Sequence, residues 1–188
     1  MTAALILAAG RGSRFGGGKM LALIKGRPML QHVLDAAEAA ELDPVVVVLG
    51  ADSGLIERTL VWRSETRLVN PDPDRGLSSS LTIGLTALGG QERVLVLLGD
   101  QPFVSAQKLS LIASTPRDAE HPIVVPRYAD GKPGNPVLIE REALVLAARL
   151  EGDRGMSQLF SAEPDLIRYV DVPGTNPDVD TLADLAAI

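Results

Sequence analysis

Several short stretches carry residue types that could handle a phosphate and its charge. In "LILAAGRGSRFGGGK" (5–19) an apolar run leads into five glycines and three basic residues, Arg11, Arg14 and Lys19. Glycines let the backbone approach a ligand closely, and cations pair with polyphosphate charge. In "VLVLLGDQP" (94–102) Asp100 follows an apolar run and a glycine. A carboxylate there can ligate a hard divalent ion through oxygen, and it can equally be a turn residue. "NPDVDTLADL" (176–185) offers Asp178 and Asp180, as partners for such an ion or as helix N-caps. "RGLSSSL" (75–81) puts Gly76 and Ser78 to Ser80 where a helix could start, and free N–H groups at such an end favour an anion.

The spacing of the first loop excludes one common phosphate motif and weakens another. A Walker loop needs Gly, four residues, then Gly-Lys-Ser/Thr. Ser13 stands at the first glycine position and Met20 at the hydroxyl position. A dinucleotide fingerprint starts its helix inside the glycines. Here Gly10, Gly12 and Gly16 miss the spacing, and the next helical pattern begins only near Pro28. The remaining reading is an open loop wrapping a nucleoside triphosphate, against the plain alternative of a solvated basic loop. Ala8, Ala9 and Gly10 would lie at the carboxyl edge of a sheet, with Arg11, Arg14 and Lys19 supplying charge.

These residues need a scaffold, and the pattern supplies one. "ALIL" (4–7), "VVVVL" (45–49), "VLVLL" (94–98) and "PIVVP" (122–126) are apolar on every residue, as strands covered on both faces are. Helical spacing predicts helices over 28–42, 78–88, 105–114 and 140–151, the second capped by a serine. "DLIRYVDV" (165–172) alternates and reads as an edge strand; 70–76 and 128–136 read as loops. Strand and helix in repetition predict an α/β three-layer α/β/α fold, Rossmann-like, with a mostly parallel sheet. No linker divides residues 1–188, so one domain is expected.

Composition removes other chemistries. The chain has 188 residues, no cysteine and a net charge of −6. That excludes a thiol nucleophile and a Cys-based zinc site, and argues against a nucleic-acid partner. No stretch reaches the ~18 apolar residues of a membrane span, and the short first apolar run lacks the basic start of a signal peptide. No membrane association and a cytoplasmic location are expected. His32 lies within a helical pattern and His121 precedes Pro122; neither has a partner identifiable from sequence. No G-x-S-x-G elbow supports a serine hydrolase.

"LAAGRGSRFGGGK" resembles the signature L-A-[AG]-G-x-[GS]-x-R-x-G-x-x-K of the MobA-like nucleotidyltransferases, and among them most resembles the molybdenum cofactor cytidylyltransferases. "RGLSSSL", "LGDQPFV" (98–104), "GNPVLI" (134–139), "GDRG" (152–155) and "NPDVDTLADL" resemble further family blocks, in order along the chain. The resemblance implies a sheet of the nucleotide-diphospho-sugar transferase type and a single nucleotidyltransferase domain. It implies transfer of CMP from CTP to the terminal phosphate of molybdopterin, with pyrophosphate released. Lys19, Arg14 and Asp100 would be catalytic. Leu7, Ala8, Ala9, Gly10, Arg11, Gly12, Lys19, Gly76, Ser78 and Asp100 would bind nucleotide. Asp100 and Asp180 would hold Mg2+, with Mn2+ as a substitute and Asp178 as the alternative ligand. Asn135, Pro136 and Asp153 would face the acceptor. This chain has Leu182 and Ala183 where the family often has Pro-Glu, and Asn135 where it often has His. Ala9 favours CTP over GTP, since guanylyl members tend to carry "LAGG". A molybdenum hydroxylase apoenzyme or its chaperone would receive the product. Four alternatives remain at this level: guanylyl transfer to the same cofactor, another phosphate acceptor, a nucleotide-binding protein without chemistry, and an NAD-linked oxidoreductase.

Overall fold

The computed structural model describes residues 1–10, 12–148 and 155–188. Four all-apolar runs form strands as expected, in a sheet of seven: β1 (Ala3–Ala8), β4 (Val45–Leu49), β6 (Arg93–Leu98) and β7 (Ile123–Arg127). The sequence reading missed β5 (Thr66–Val69) and β8 (Val137–Glu140), and β9 (Ile167–Asp171) is the expected edge strand. The order is β5-β4-β1-β6-β8-β7-β9. All strands run parallel except β8, which pairs antiparallel with β6 and β7. A small hairpin of β2 (Leu23–Ile24) and β3 (Arg27–Pro28) stands apart.

Alternation on the central strands explains the three layers. Ala4, Ile6 and Ala8 face one apolar cluster with Val47, Leu49, Leu95 and Leu97. Ala3, Leu5 and Leu7 face the other with Val46, Val48, Val94 and Val96. Each such buried Leu or Ile stabilises by ~1.5–3 kcal/mol, so neither face can be left bare. Helices α1 (Met29–Ala39), α2 (Ser53–Thr59) and α4 (Ala106–Ala113) cover the first face through Leu30, Val33, Leu34, Ile56, Leu109 and Ile112. Helices α3 (Leu77–Ala87), α5 (Arg141–Ala147) and α6 (Gly155–Ala162) cover the second through Leu81, Leu85, Ala143, Ala147 and Met156. A seventh helix, α7 (Leu182–Ala186), follows the last aspartates.

Two helix starts differ from expectation. Helix α3 begins at Leu77 on Gly76, with no side-chain cap. Its serines are used otherwise: the Ser79 hydroxyl donates to Gly76 O at 2.7 Å, and the buried Asn70 amide donates to Ser79 and Ser80. Neither Asp178 nor Asp180 caps α7. Thr181 does, in a capping box with Asp184, which leaves both earlier carboxylates free for other work.

The chain turns back across β1: β4 and β5 lie on one side of it, β6 on the other. Open α/β sheets bind ligands at that reversal, outside the carboxyl ends of the strands. Ala9 and Gly10 leave β1 there and Gly99–Asp100 leave β6 there. The Gly99 N–H donates to Leu7 O at 2.9 Å, and the Val179 N–H donates to Asp100 O at 3.0 Å. A third small cluster of Phe15, Ile24, Met29 and Val179 clamps the glycine loop, the hairpin and the C-terminal segment together.

Candidate active site

At this edge the Lys19 ammonium donates to Asp100 Oδ2 and Asp180 Oδ1, both at 2.7 Å. Lys19 is 8 % exposed. Burial alone would lower its pKa, but the hydrogen bonds and charges of the two carboxylates outweigh that and hold it above the ordinary lysine value. Gly12 shapes the approach. Its φ is +56°, and a Cβ there would lie 2.9 Å from Lys19 Cβ, so the loop closes on the lysine only with glycine at this position. Arg14 is largely exposed, with Nη1 3.9 Å from Asp180 Oδ2.

Two carboxylate oxygens at 2.7 Å from one nitrogen lie less than twice that distance apart. Among the described residues no three His, Asp or Glu side chains gather into a metal cage. Magnesium does not need one: it is commonly held by one or two carboxylates plus substrate phosphates and water. Hard oxygen donors converging on a point already held by a cation therefore fit such an ion.

Asp178 is turned elsewhere. It accepts from Gln101 Nε2 at 2.8 Å. Burial pushes its carboxyl up; Gln101 pulls it back, and the charges of Asp100 and Asp180 add to the rise. Gln101 is tied in turn to Asn176, whose amide donates to Gln101 Oε1 and Asn135 O. The Tyr128 hydroxyl donates to the same Asn135 carbonyl at 2.5 Å. Sequence reasoning missed Gln101, Asn176 and Tyr128, which link the Asp100 turn to the Asn135 turn.

Two cavities flank the end of β1. A cleft of about 350 Å³ is lined by Ala8, Ala9, Gly10, Gly17 and Lys19, together with Gly50, Ala51, Asp52, Pro71 and Pro73. A second, of about 320 Å³, is lined by Leu7, Leu77, Leu81, Val96, Leu98, Met156 and Phe160, with Pro133, Gly134 and Asn135 at one wall. Leu7 thus faces the second cavity while Ala8 and Ala9 line the first. Gly76 follows the short 3-10 turn Pro73–Arg75 that borders the first cleft. Ser78 is buried in the first turn of α3 and Pro136 is buried beside Asn135. Arg11 and Asp153 lie outside the described residues.

The histidines have structural partners that the sequence did not reveal. His32 Nε2 is 2.9 Å from Ile24 O, and His121 Nδ1 is 2.8 Å from Asp118 Oδ2.

Comparison with known proteins places the family and the fold. The model of the MobA-like NTP transferase domain matches residues 4–172. The bifunctional protein GlmU of Desulfitobacterium hafniense is 35% identical over 178 residues, 94% of this chain and 34% of the relative. The chain therefore spans about a third of that relative's length. A probable molybdenum cofactor guanylyltransferase of Thermococcus kodakarensis is 29% identical over 127 residues, 67% of this chain and 59% of the relative. The crystal structure of Rv0371c from Mycobacterium tuberculosis superposes with a TM-score of 0.87 at 29% identity, covering 99% of this chain and 96% of that one. The same mycobacterial protein has been solved in complex with manganese, with a TM-score of 0.84 at 28% identity over 99% and 96% of the two chains.

Proposed function

The chain belongs to the MobA-like NTP transferase family, and from that premise we propose that it transfers CMP from CTP to the terminal phosphate of a molybdopterin-type acceptor. Residues 1–188 act as a single nucleotidyltransferase domain in this reading. An acceptor phosphate oxygen attacks the α-phosphorus, the bond to the β-phosphate breaks, and pyrophosphate leaves. The attacking oxygen is already anionic, so no strong base is needed. The work left to the protein is positioning and charge neutralisation.

The meeting of Lys19, Asp100 and Asp180 beside a glycine-walled cleft is the observation that carries this reading. Ala8, Ala9, Gly10 and Gly12 approach the nucleotide with backbone, and Gly50 with Pro71 line the same cleft. Leu7, and Gly76 with Ser78 in the first turn of α3, border the nucleotide in this reading. Lys19, Arg14 and Arg11 hold the triphosphate. Asp100 and Asp180 would hold Mg2+, or Mn2+ in its place, which supplies charge neutralisation on the phosphates. The manganese complex of Rv0371c supports a divalent ion in a relative.

In this reading Asn135, Pro136 and Asp153 stand on the acceptor side. A second cavity lies beside Asn135, and its lining among the described residues is mostly Leu, Val, Met and Phe. GTP in place of CTP is the second reading, favoured by the guanylyltransferase relative; Ala9 favours CTP. No helix among the described residues is long and apolar enough to cross a membrane. A cytoplasmic enzyme that passes its product to a molybdenum hydroxylase or its chaperone, and takes no nucleic acid, completes the proposal.

Incubation with molybdenum cofactor, Mg2+ and either CTP or GTP tests it, with pyrophosphate release and the dinucleotide product as readouts. Turnover with CTP is expected. Turnover with GTP alone would overturn the cytidylyl reading, and full activity in Asp100→Ala would overturn the metal role.

A further inference from the structure

Lys19 does more here than wait for a phosphate. Its ammonium already occupies the focus of the two carboxylates, at 2.7 Å from each, and it is 8 % exposed. Charge-assisted hydrogen bonds of this length are the strong ones. A divalent ion that takes Asp100 Oδ2 and Asp180 Oδ1 as ligands needs the space Nζ fills, and two cations cannot share it. We propose that Lys19 and the divalent ion compete for Asp100 and Asp180, so that the ion binds tightly only when a polyphosphate draws the lysine away. This rests on the metal role given to the two aspartates above.

The geometry makes the exchange feasible. Lys19 begins a short 3-10 turn directly after Gly18, and it lines the glycine-walled cleft as well as touching the carboxylates. A triphosphate in that cleft therefore lies within reach of the same ammonium. The lysine would pass from two carboxylate oxygens to phosphate oxygens, while the ion takes the oxygens it left. The ion neutralises both carboxylates where the single ammonium balanced only one, and the displaced ammonium meets the phosphate charge instead. The triphosphate and its ion are then expected to enter together, and free Mg2+ does not preload the site.

Electron spin resonance titration with Mn2+ alone tests this on the purified protein, without turnover. Wild type should bind Mn2+ weakly without nucleotide and tightly with α,β-methylene-CTP. Lys19→Met, which keeps the apolar stem and removes the charge, should bind Mn2+ without nucleotide about tenfold tighter or more, the factor equivalent to about 1.4 kcal/mol. The gain should vanish in Lys19→Met/Asp100→Asn. Lys19→Gln serves in the same role if the methionine variant does not fold. Equal Mn2+ affinity in wild type and both lysine variants would overturn the competition. So would tight Mn2+ binding to nucleotide-free wild type. In either case, loss of nucleotide-dependent Mn2+ binding in Asp100→Asn would leave the metal role of the aspartates standing. Unchanged binding in that variant would remove the metal role and the competition together.

Discussion

Gly50→Ala should harm both stability and nucleotide binding, by one displacement. Gly50 follows β4 directly, as Gly99 follows β6, and it lines the glycine-walled cleft packed against Ala9. A Cβ on Gly50 would sit 2.6 Å from Ala9 O and 3.1 Å from Ala9 C and Cα. Those are backbone atoms, so no side chain can swing aside. Comfortable non-bonded separations are ~3.5 Å or more, and the loop after β1 must move by several tenths of an ångström to reach them. Overpacking of this kind costs ~1–3 kcal/mol. At ~2–4 °C per kcal/mol for a chain of this size, Tm should fall by ~2–12 °C. The same shift moves Ala9 and Gly10 against the ligand. Misplacement by about 1 Å can cost ~100-fold, so a loss of roughly ten- to a hundredfold in kcat/KM for the nucleotide is expected. Gly84→Ala is the control. Its Cβ would lie 2.1 Å from Leu5 Cδ1, in the packing of α3 on β1. It should lower Tm while leaving the nucleotide KM within about twofold, since its clash meets the Leu5 side chain in the core and Gly84 does not line the cleft. Scanning calorimetry and steady-state kinetics on both variants decide the matter. A Gly50→Ala protein with unchanged Tm and unchanged kcat/KM would refute the packing argument. Equal kinetic damage in both variants would refute its assignment to the cleft.

Two further perturbations read other parts of the molecule. Glu140 is fully buried at the end of β8, with Arg168 Nη2 at 2.8 Å, Arg93 Nη2 at 3.3 Å and the Asp118 N–H at 3.2 Å. Glu140→Gln leaves two arginines without their counter-charge. The cost should be about 3 kcal/mol, the lower end for a broken buried pair because both guanidiniums keep some water contact. Urea unfolding should show that loss with kcat/KM unchanged, because the cluster lies where β6 begins rather than where it ends. Burial pushes the Tyr128 phenol up to about 12, with a side-chain hydrogen bond pulling it back slightly. A group whose folded pKa is raised contributes stability that is complete below its unfolded value and lost as pH rises through the folded one. Wild type should therefore lose stability relative to Tyr128→Phe between about pH 10 and 12, followed by thermal melts. An ultraviolet titration in a Tyr169→Phe background should place the Tyr128 ionisation at the top of that range, and a midpoint near 10 would contradict the burial.

What the sequence disclosed depended on whether the physics was local. β1, β4, β6 and β7 were legible because strands buried on both faces must be apolar at every position. β5 was not: Thr66, Arg67 and Val69 are exposed at the sheet's rim, so it carries neither an apolar run nor clean alternation. β8 was hidden differently. Its residues 137–140 look like a buried strand but were read as part of an acceptor block, and nothing local announces that a strand runs antiparallel between two parallel neighbours. Helix α7 is short, and its start was masked by two aspartates that suggested caps; Thr181 and Asp184 carried the real signal. The part that Gly50 plays in lining the glycine-walled cleft was missed although a signal existed. Residues 49–50, like 98–99, pass from an apolar strand straight into glycine, as a backbone that must come close to a ligand does.

The convergence of Lys19 with Asp100 and Asp180 could not be read from spacing, because 81 and 161 residues separate them. It follows from three facts that act together. β1 and β6 are neighbours in parallel, so their exits meet on one edge. Val179 is bonded to Asp100 O and packed with Phe15, Ile24 and Met29, so Asp180 follows the C-terminal segment onto that edge. Gly12 permits the loop to fold Lys19 inward. Successive residues of one strand also face opposite ways, and β1 uses this at its end: Leu7 lines one cavity and Ala8 the other. Two ligands held in those cavities lie on opposite sides of the same strand. They can react only beyond its tip, which is where the lysine and the two carboxylates stand.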